Sequence, residues 1–131
     1  MLLLDTHAWV WWVTRPERLS RTQRAAVDRT LRAGREPILL SIISCWEVAL
    51  LCQQRKLGFG VAAEVWLEQA SSVPGLDVAP LSLPIVSSAA RLTMLRDPAD
   101  MLIVASAQHH GARLVTSDDR IIDAAVVPTV G

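Results

Sequence analysis

Met1-Leu2-Leu3-Leu4-Asp5-Thr6-His7-Ala8-Trp9-Val10-Trp11-Trp12-Val13 decides the fold. A continuous run of aliphatic side chains reads as a strand buried on both faces, as in a parallel sheet. The run stops at an acid, and a helical pattern follows without a linker. The same junction recurs downstream. Ile38-Leu39-Leu40 leads into a helix carrying Glu47, and Leu114-Val115-Thr116 runs into Asp118 and Asp119. Asp97 and Asp100 stand just ahead of Met101-Leu102-Ile103-Val104, at the head of the helix that carries them. In an open parallel sheet, ligands bind in the crevice at the carboxyl ends of the strands. Acids from distant parts of the chain can therefore meet there.

Working outward, strand and helix patterns alternate, which predicts an α/β fold with a parallel sheet covered on both faces. Residues 1–5 read as the first strand and 6–13 as a short helix closed by Arg15-Pro16. Ser20, with Gln23 three residues later, opens a second helix through a capping box. That helix stops at Gly34. Residues 37–41 form a second strand, followed by a helix from Ile43 or Ser44 to Gln54. A helical stretch covers 61–71, and a strand 76–81. Pro84 suits the first turn of the next helix. Asp97-Pro98 opens the helix that Gly111 ends, 113–116 is a strand, and 126–130 a last edge strand. At 131 residues the expectation is one domain, residues 1–131, with neither repeat nor linker.

Composition narrows the function classes. No apolar run approaches the roughly 20 residues needed to cross a bilayer. The start lacks a basic n-region and a cleavage site, so a cytoplasmic location is expected. Lys and Arg total 13 and balance 13 Asp and Glu, so the chain as a whole does not announce a nucleic-acid binder. Lys56 is nevertheless the only Lys, and Arg is the residue suited to bidentate phosphate contacts. Arg15, Arg18, Arg21, Arg24, Arg29, Arg32 and Arg35 crowd one segment and read as a solvated helix face or an RNA-contacting surface. Cys45 and Cys52, seven apart on one helix, are too distant for a disulfide and read as packing residues. The three His have no partner at zinc-ligand spacing, and no Gly-rich phosphate loop is present.

Each acid has an ordinary explanation beside a chemical one. Asp5 and Asp97 can cap helices, and Ser44-Cys45-Trp46-Glu47 matches a capping box. Their combination points further. A charge at the end of a buried strand is costly unless paired, and no base lies near Asp5 in sequence. Three or four carboxylates gathered together repel and raise one another's pKa, which a divalent cation relieves. Oxygen-only ligands suit Mg²⁺ or Mn²⁺, and such a site suits phosphodiester hydrolysis.

The segments MLLLDTHAWVWW, SIISCWEVAL and RDPADMLIVASAQHHGARLVTSDDRI, in that order, resemble the PIN-domain family, specifically the VapC-type toxins of type II toxin–antitoxin pairs. The resemblance runs from Leu2 to about Ile122. It implies a three-layer α/β/α sandwich around a small parallel sheet, and an endoribonuclease dependent on Mg²⁺ or Mn²⁺. By motif position Asp5, Glu47, Asp100 and Asp118 are the expected catalytic acids, with Asp5 and Asp100 as direct metal ligands. Asp97, Thr6, Ser44, Thr116 and Asp119 are expected in support. The implied chemistry is attack of a metal-activated water on an RNA phosphodiester. The implied partners are RNA, a cognate antitoxin and a second copy of the chain. Trp11, Trp12, Leu50, Leu51 and Leu57 are candidate lining for the antitoxin groove. A catalytically silent PIN-like module that binds RNA or protein is the alternative. A phosphatase of the same sheet type is disfavoured, because Asp5-Thr6-His7 lacks the second acid of the haloacid-dehalogenase type.

Overall fold

The computed structural model describes residues 1–131. Five strands form one parallel sheet: β1 (Leu2–Leu4), β2 (Ile38–Ser41), β3 (Leu76–Ala79), β4 (Arg113–Val115) and β5 (Thr129–Val130), in the order β3-β2-β1-β4-β5. Seven α-helices connect and cover them: α1 (Thr6–Thr14), α2 (Arg21–Ala33), α3 (Ile42–Gln53), α4 (Ala63–Ser71), α5 (Leu83–Ala90), α6 (Pro98–His110) and α7 (Asp119–Ala124). The architecture is the α/β/α sandwich that the family resemblance implies, around the parallel sheet read from the alternating pattern. None of these helices is long and apolar enough to cross a membrane.

The opening Leu triplet shows why the layers form. Leu2 and Leu4 point to one face of the sheet, where Trp9 of α1, Val27 of α2 and Trp66 of α4 enclose them. Leu3 points to the other face, against Ile85 of α5, Ile103 and Val104 of α6, and Ile121 of α7. All three leucines are buried, at no more than 1% exposure, so the strand needs apolar residues at every position rather than at alternate ones. The sheet ends in a two-residue edge strand, which leaves little unpaired backbone for another chain to extend.

Strand order sets the position of the crevice. From β1 the chain moves outward through β2 to β3, then returns to the opposite side of β1 for β4 and β5. The order reverses between β1 and β4, and a cleft opens at such a switch point beyond the strands' carboxyl ends. Leu4 is in register with Leu40 and with Val115. Asp5, Ser41 and Thr116 therefore follow at one level, on the rim of that cleft.

Most helix boundaries match their sequence signals. The capping box of Ser20 and Gln23 forms in full. Gly34 and Gly111 take left-handed backbone (φ 61° and 63°) that closes α2 and α6. Three differences matter. α3 begins at Ile42, capped by Ser41, so Ser44 lies inside the helix and forms no capping box with Glu47. β2 passes into α3 without an intervening residue, and the first available hydroxyl takes the cap. A short helix, α7, follows β4, with Asp118 as its cap. At six residues it carries too few apolar positions to show a helical period. Finally, Pro16–Arg18 forms a single 3₁₀ turn that folds back against α1.

Candidate active site

A cavity of about 410 Å³ opens at the switch point. Asp5 reaches it from the end of β1, Glu47 from α3, Asp97 and Asp100 from the start of α6, and Asp118 from the turn after β4. Thr6, His7, Trp11, Ser117 and Arg120 complete its wall. Five carboxylates from four separate stretches of chain thus face one space. None of them is in an ion pair, because the single salt bridge joins the N-terminal amine to Glu36.

Capping and exposure to the cavity prove compatible for three of these acids. Asp5 Oδ1 accepts from the Ala8 N–H at 2.8 Å, Asp97 Oδ1 from Ala99 at 2.8 Å, and Asp118 Oδ1 from Arg120 at 2.9 Å. In each case a single carboxylate oxygen makes the cap. Glu47 and Asp100 cap nothing. Glu47 is the sixth residue of α3, so its reading as a capping-box partner is overturned. Asp100 sits in the first turn of α6, where the helix dipole favours a negative charge.

Hydroxyls support the acids from behind. The buried Thr6 hydroxyl donates to Glu47 Oε1 and lies 3.0 Å from the Ser44 hydroxyl. Ser44 is itself completely buried and does not line the cavity. Thr116 Oγ1 accepts from the Asp118 N–H at 3.0 Å, which fixes the turn presenting Asp118. Asp119 is different. It is exposed, lies outside the cavity wall and simply begins α7.

The electrostatics of the cavity are unfavourable to bare carboxylates. Asp5 is 8% exposed, and burial raises its carboxyl above the ordinary range. The Thr116 hydroxyl, the Ala8 N–H and nearby His7 pull it back, without cancelling the effect of burial. Asp100 is pushed up to about 7, first by desolvation and then by repulsion from Asp97, Asp118, Glu47 and Asp5. An acid raised this far by burial and by its acidic neighbours lacks a counter-charge.

The five carboxylates fit a hard divalent cation: they offer oxygen throughout, and the wall holds no Cys and a single His. As placed, no three acidic, His or Cys side chains stand close enough together to enclose an ion. The fit is thus one of charge and donor chemistry, with the acids spread around the cavity wall.

Two lining residues carried little signal in the sequence. Arg120, two positions after Asp118, is the one Arg or Lys on the wall. It is brought there by the unanticipated α7. Trp11, expected in a partner groove, faces the cavity beside His7, with ring centroids 6.0 Å apart. The other tryptophans divide between roles. Trp9 and Trp66 are buried in the core, whereas Trp46 is 55% exposed. Cys45 and Cys52 are free and half-buried, packed at the border of the core.

Comparison with known proteins agrees with this arrangement. The PIN domain family matches residues 2–127. Ribonuclease VapC22 of Mycobacterium tuberculosis is 34% identical over 121 residues, covering 92% of this chain and 88% of that protein. Among solved structures, FitAcB from Neisseria gonorrhoeae superposes with a TM-score of 0.66 at 23% identity, covering 100% of this chain and 97% of that one. VapBC2 from Rickettsia felis, bound to a DNA fragment from its promoter, gives 0.70 at 17% identity, covering 98% and 96%. At these identities the two structures speak to the fold.

Proposed function

Because the chain belongs to the PIN domain family, as a VapC-type member, we propose that it is a Mg²⁺- or Mn²⁺-dependent endoribonuclease, the toxin of a type II toxin–antitoxin pair acting on RNA in the cytoplasm. One observation carries the chemistry. Five carboxylates share a cavity at the sheet's switch point with no ion pair to balance them. The Mycobacterium tuberculosis relative is a ribonuclease, and the solved neighbours include a toxin–antitoxin complex from Klebsiella pneumoniae.

Asp5 and Asp100 are the residues assigned to hold the cation: both reach the cavity, both match the family's acids by motif position, and burial leaves both carboxyls short of a counter-charge. When bound, the cation supplies a Lewis acid that lowers the pKa of water and steadies charge on the phosphodiester. Glu47, held in one orientation by Thr6, accepts hydrogen bonds from water on one side of the cavity. Asp118 does so on the other, on a turn steadied by Thr116. Asp97 holds the first turn of α6 and with it the position of Asp100. Arg120 offers a guanidinium to a phosphate oxygen in a cavity otherwise hostile to anions.

For the antitoxin, a second cavity of about 700 Å³ is bordered by Cys52, Leu57, Phe59, Val61 and Leu67. It is mostly apolar and suits the aliphatic side chains of a partner segment. Of the five residues named for the groove, Leu57 borders this cavity, whereas Trp11, Trp12, Leu50 and Leu51 do not. A second copy of the chain is proposed as a further partner.

A silent binding module is the competing reading, favoured by the spread of the carboxylates. Asp5→Asn separates the two. Asn retains an oxygen for the Ala8 cap but loses the charge. The wild type should cleave RNA with Mg²⁺ or Mn²⁺ and arrest growth on expression, and the variant should do neither. A wild type inert with both cations, or an equally toxic Asn variant, would refute the nuclease.

A further inference from the structure

Trp11 belongs to two cavities. One face of its surroundings is the acidic cavity. The other is a neighbouring cavity of about 400 Å³ lined by Arg15, Arg18, Leu57 and Phe59. The Arg18 guanidinium carbon lies 5.0 Å from the centroid of the Trp11 ring, and the His7 ring stands 6.0 Å from it on the acidic side. His7 and Arg18 thus both stand against Trp11, His7 on the wall of the acidic cavity and Arg18 on that of its neighbour.

The Trp11–Arg18 contact is built by the fold-back after α1. Arg15 N–H donates to the Trp11 carbonyl at 2.7 Å, and the 3₁₀ turn of Pro16–Arg18 then brings Arg18 back over the ring. Arg15 and Arg18 are both exposed, and neither is in a salt bridge. Two guanidinium groups without a counter-ion, beside an indole face, form the combination that holds single-stranded nucleic acid: planar groups stack with bases and Arg meets phosphate.

We propose that this Trp11–Arg18 shelf, with Arg15, is a binding subsite for the single-stranded RNA segment adjoining the phosphodiester in the acidic cavity. The assignment rests on the ribonuclease reading above. It follows from continuity, since Trp11 walls both cavities, and from charge, since the shelf offers cations where the cavity offers anions. A strand entering the carboxylate cluster meets repulsion at the scissile phosphate. The shelf supplies the compensating attraction beside it.

The test uses the full-length protein, Mg²⁺ and a fluorescein-labelled pool of random-sequence single-stranded RNA, about 12 nucleotides long. Apparent kcat and KM are measured across a range of salt. Arg15→Gln/Arg18→Gln, both at exposed positions, should raise KM about tenfold with kcat within about threefold of wild type. Its kcat/KM should also fall less steeply with salt, by about one to two phosphate contacts. Trp11→Leu should raise KM about tenfold, while Trp11→Phe, which keeps a stacking face, should stay within about threefold of wild type. Thermal unfolding confirms that the variants are folded.

If the double Gln variant cleaves with unchanged KM and salt slope while Asp5→Asn remains dead, the shelf assignment is wrong and the nuclease stands. A wild type that cleaves nothing in the pool removes both. Variants with normal RNA kinetics that escape neutralisation by a co-expressed antitoxin would place a protein on the shelf instead, and that too overturns the assignment.

Discussion

The Thr6 hydroxyl on α1 donates to the Glu47 carboxylate on α3, 41 residues along the chain. It joins the start of the first helix to the middle of the third, across the floor of the acidic cavity. The contact holds a half-buried acid in one rotamer, and the completely buried Ser44 hydroxyl backs Thr6 at 3.0 Å. Thr6→Val keeps the shape and removes the donor. RNA cleavage should fall about 10- to 100-fold, the usual cost of losing a group that orients a working side chain. Thr6→Ser should recover most of it. Steady-state cleavage by the three proteins checks the orientation, and a Val variant with wild-type kcat would discount it.

Asp100 makes stability depend on pH. Its carboxyl is raised from 3.8 to about 7 in the fold, so between those values the native state holds a proton that the unfolded chain has released. Stability from this group is complete below about pH 4 and is lost as pH rises to about 7. In EDTA, the melting temperature should therefore decline across that interval. Asp100→Asn should flatten the decline and raise Tm at pH 8 by roughly 5 °C. Thermal unfolding from pH 4 to 8 provides the comparison.

A divalent cation reverses that balance. Mg²⁺ or Mn²⁺ binding to the native state should raise Tm in proportion to the logarithm of its concentration. The gain should be larger at pH 8 than at pH 5.5, because a proton on Asp100, whose carboxyl is raised to about 7, competes with the ion at the lower pH. Isothermal titration at the two pH values should show proton uptake by buffer at the lower one. An equal Tm gain at both would argue against a site made from these acids.

Asp97 combines a structural and an electrostatic role that two substitutions can separate. Its Oδ1 caps α6, while its charge is the largest repulsive influence on Asp100. Asp97→Asn keeps a good cap and should lower the Asp100 pKa with little loss of stability. Asp97→Ala removes both and should cost about 1 kcal/mol. Chemical denaturation and the pH dependence of Tm, measured on both variants, distinguish them.

Trp9 tests the core beneath the site. It is fully buried, its indole N–H donates to the Ala70 carbonyl at 3.0 Å, and its ring lies 5.0 Å from that of Trp66. Phe59 stacks on Trp66 at 3.9 Å, extending the aromatic cluster towards the surface. Trp9→Phe leaves a carbonyl unpaired and a void, and should cost about 2 kcal/mol by urea unfolding. Cleavage at a temperature well below the transition should change little.

The sequence by itself determined the layers and the level of the acids. Leu2-Leu3-Leu4 allows only a strand covered on both faces, because no position is polar. Asp5 must then stand at that strand's carboxyl end. Gly34, Gly111, Ser20 and Asp97 set helix ends through local chemistry, and the chain obeyed them. Tertiary structure decided what local signals left balanced. Glu47 could have been the partner in a capping box until β2 ran straight into α3 and Ser41 took the cap, leaving Glu47 in mid-helix and facing Thr6. Asp119 and Asp118 are adjacent in sequence, yet only Asp118 reaches the cavity, because the short α7 begins between them. Arg120 and Arg18 were placed by α7 and by the turn after α1, two features too short to show a period. Periodicity and capping act over a few residues. Which side chains share a cavity depends on strand order, and that is settled by burying both faces of the sheet at once.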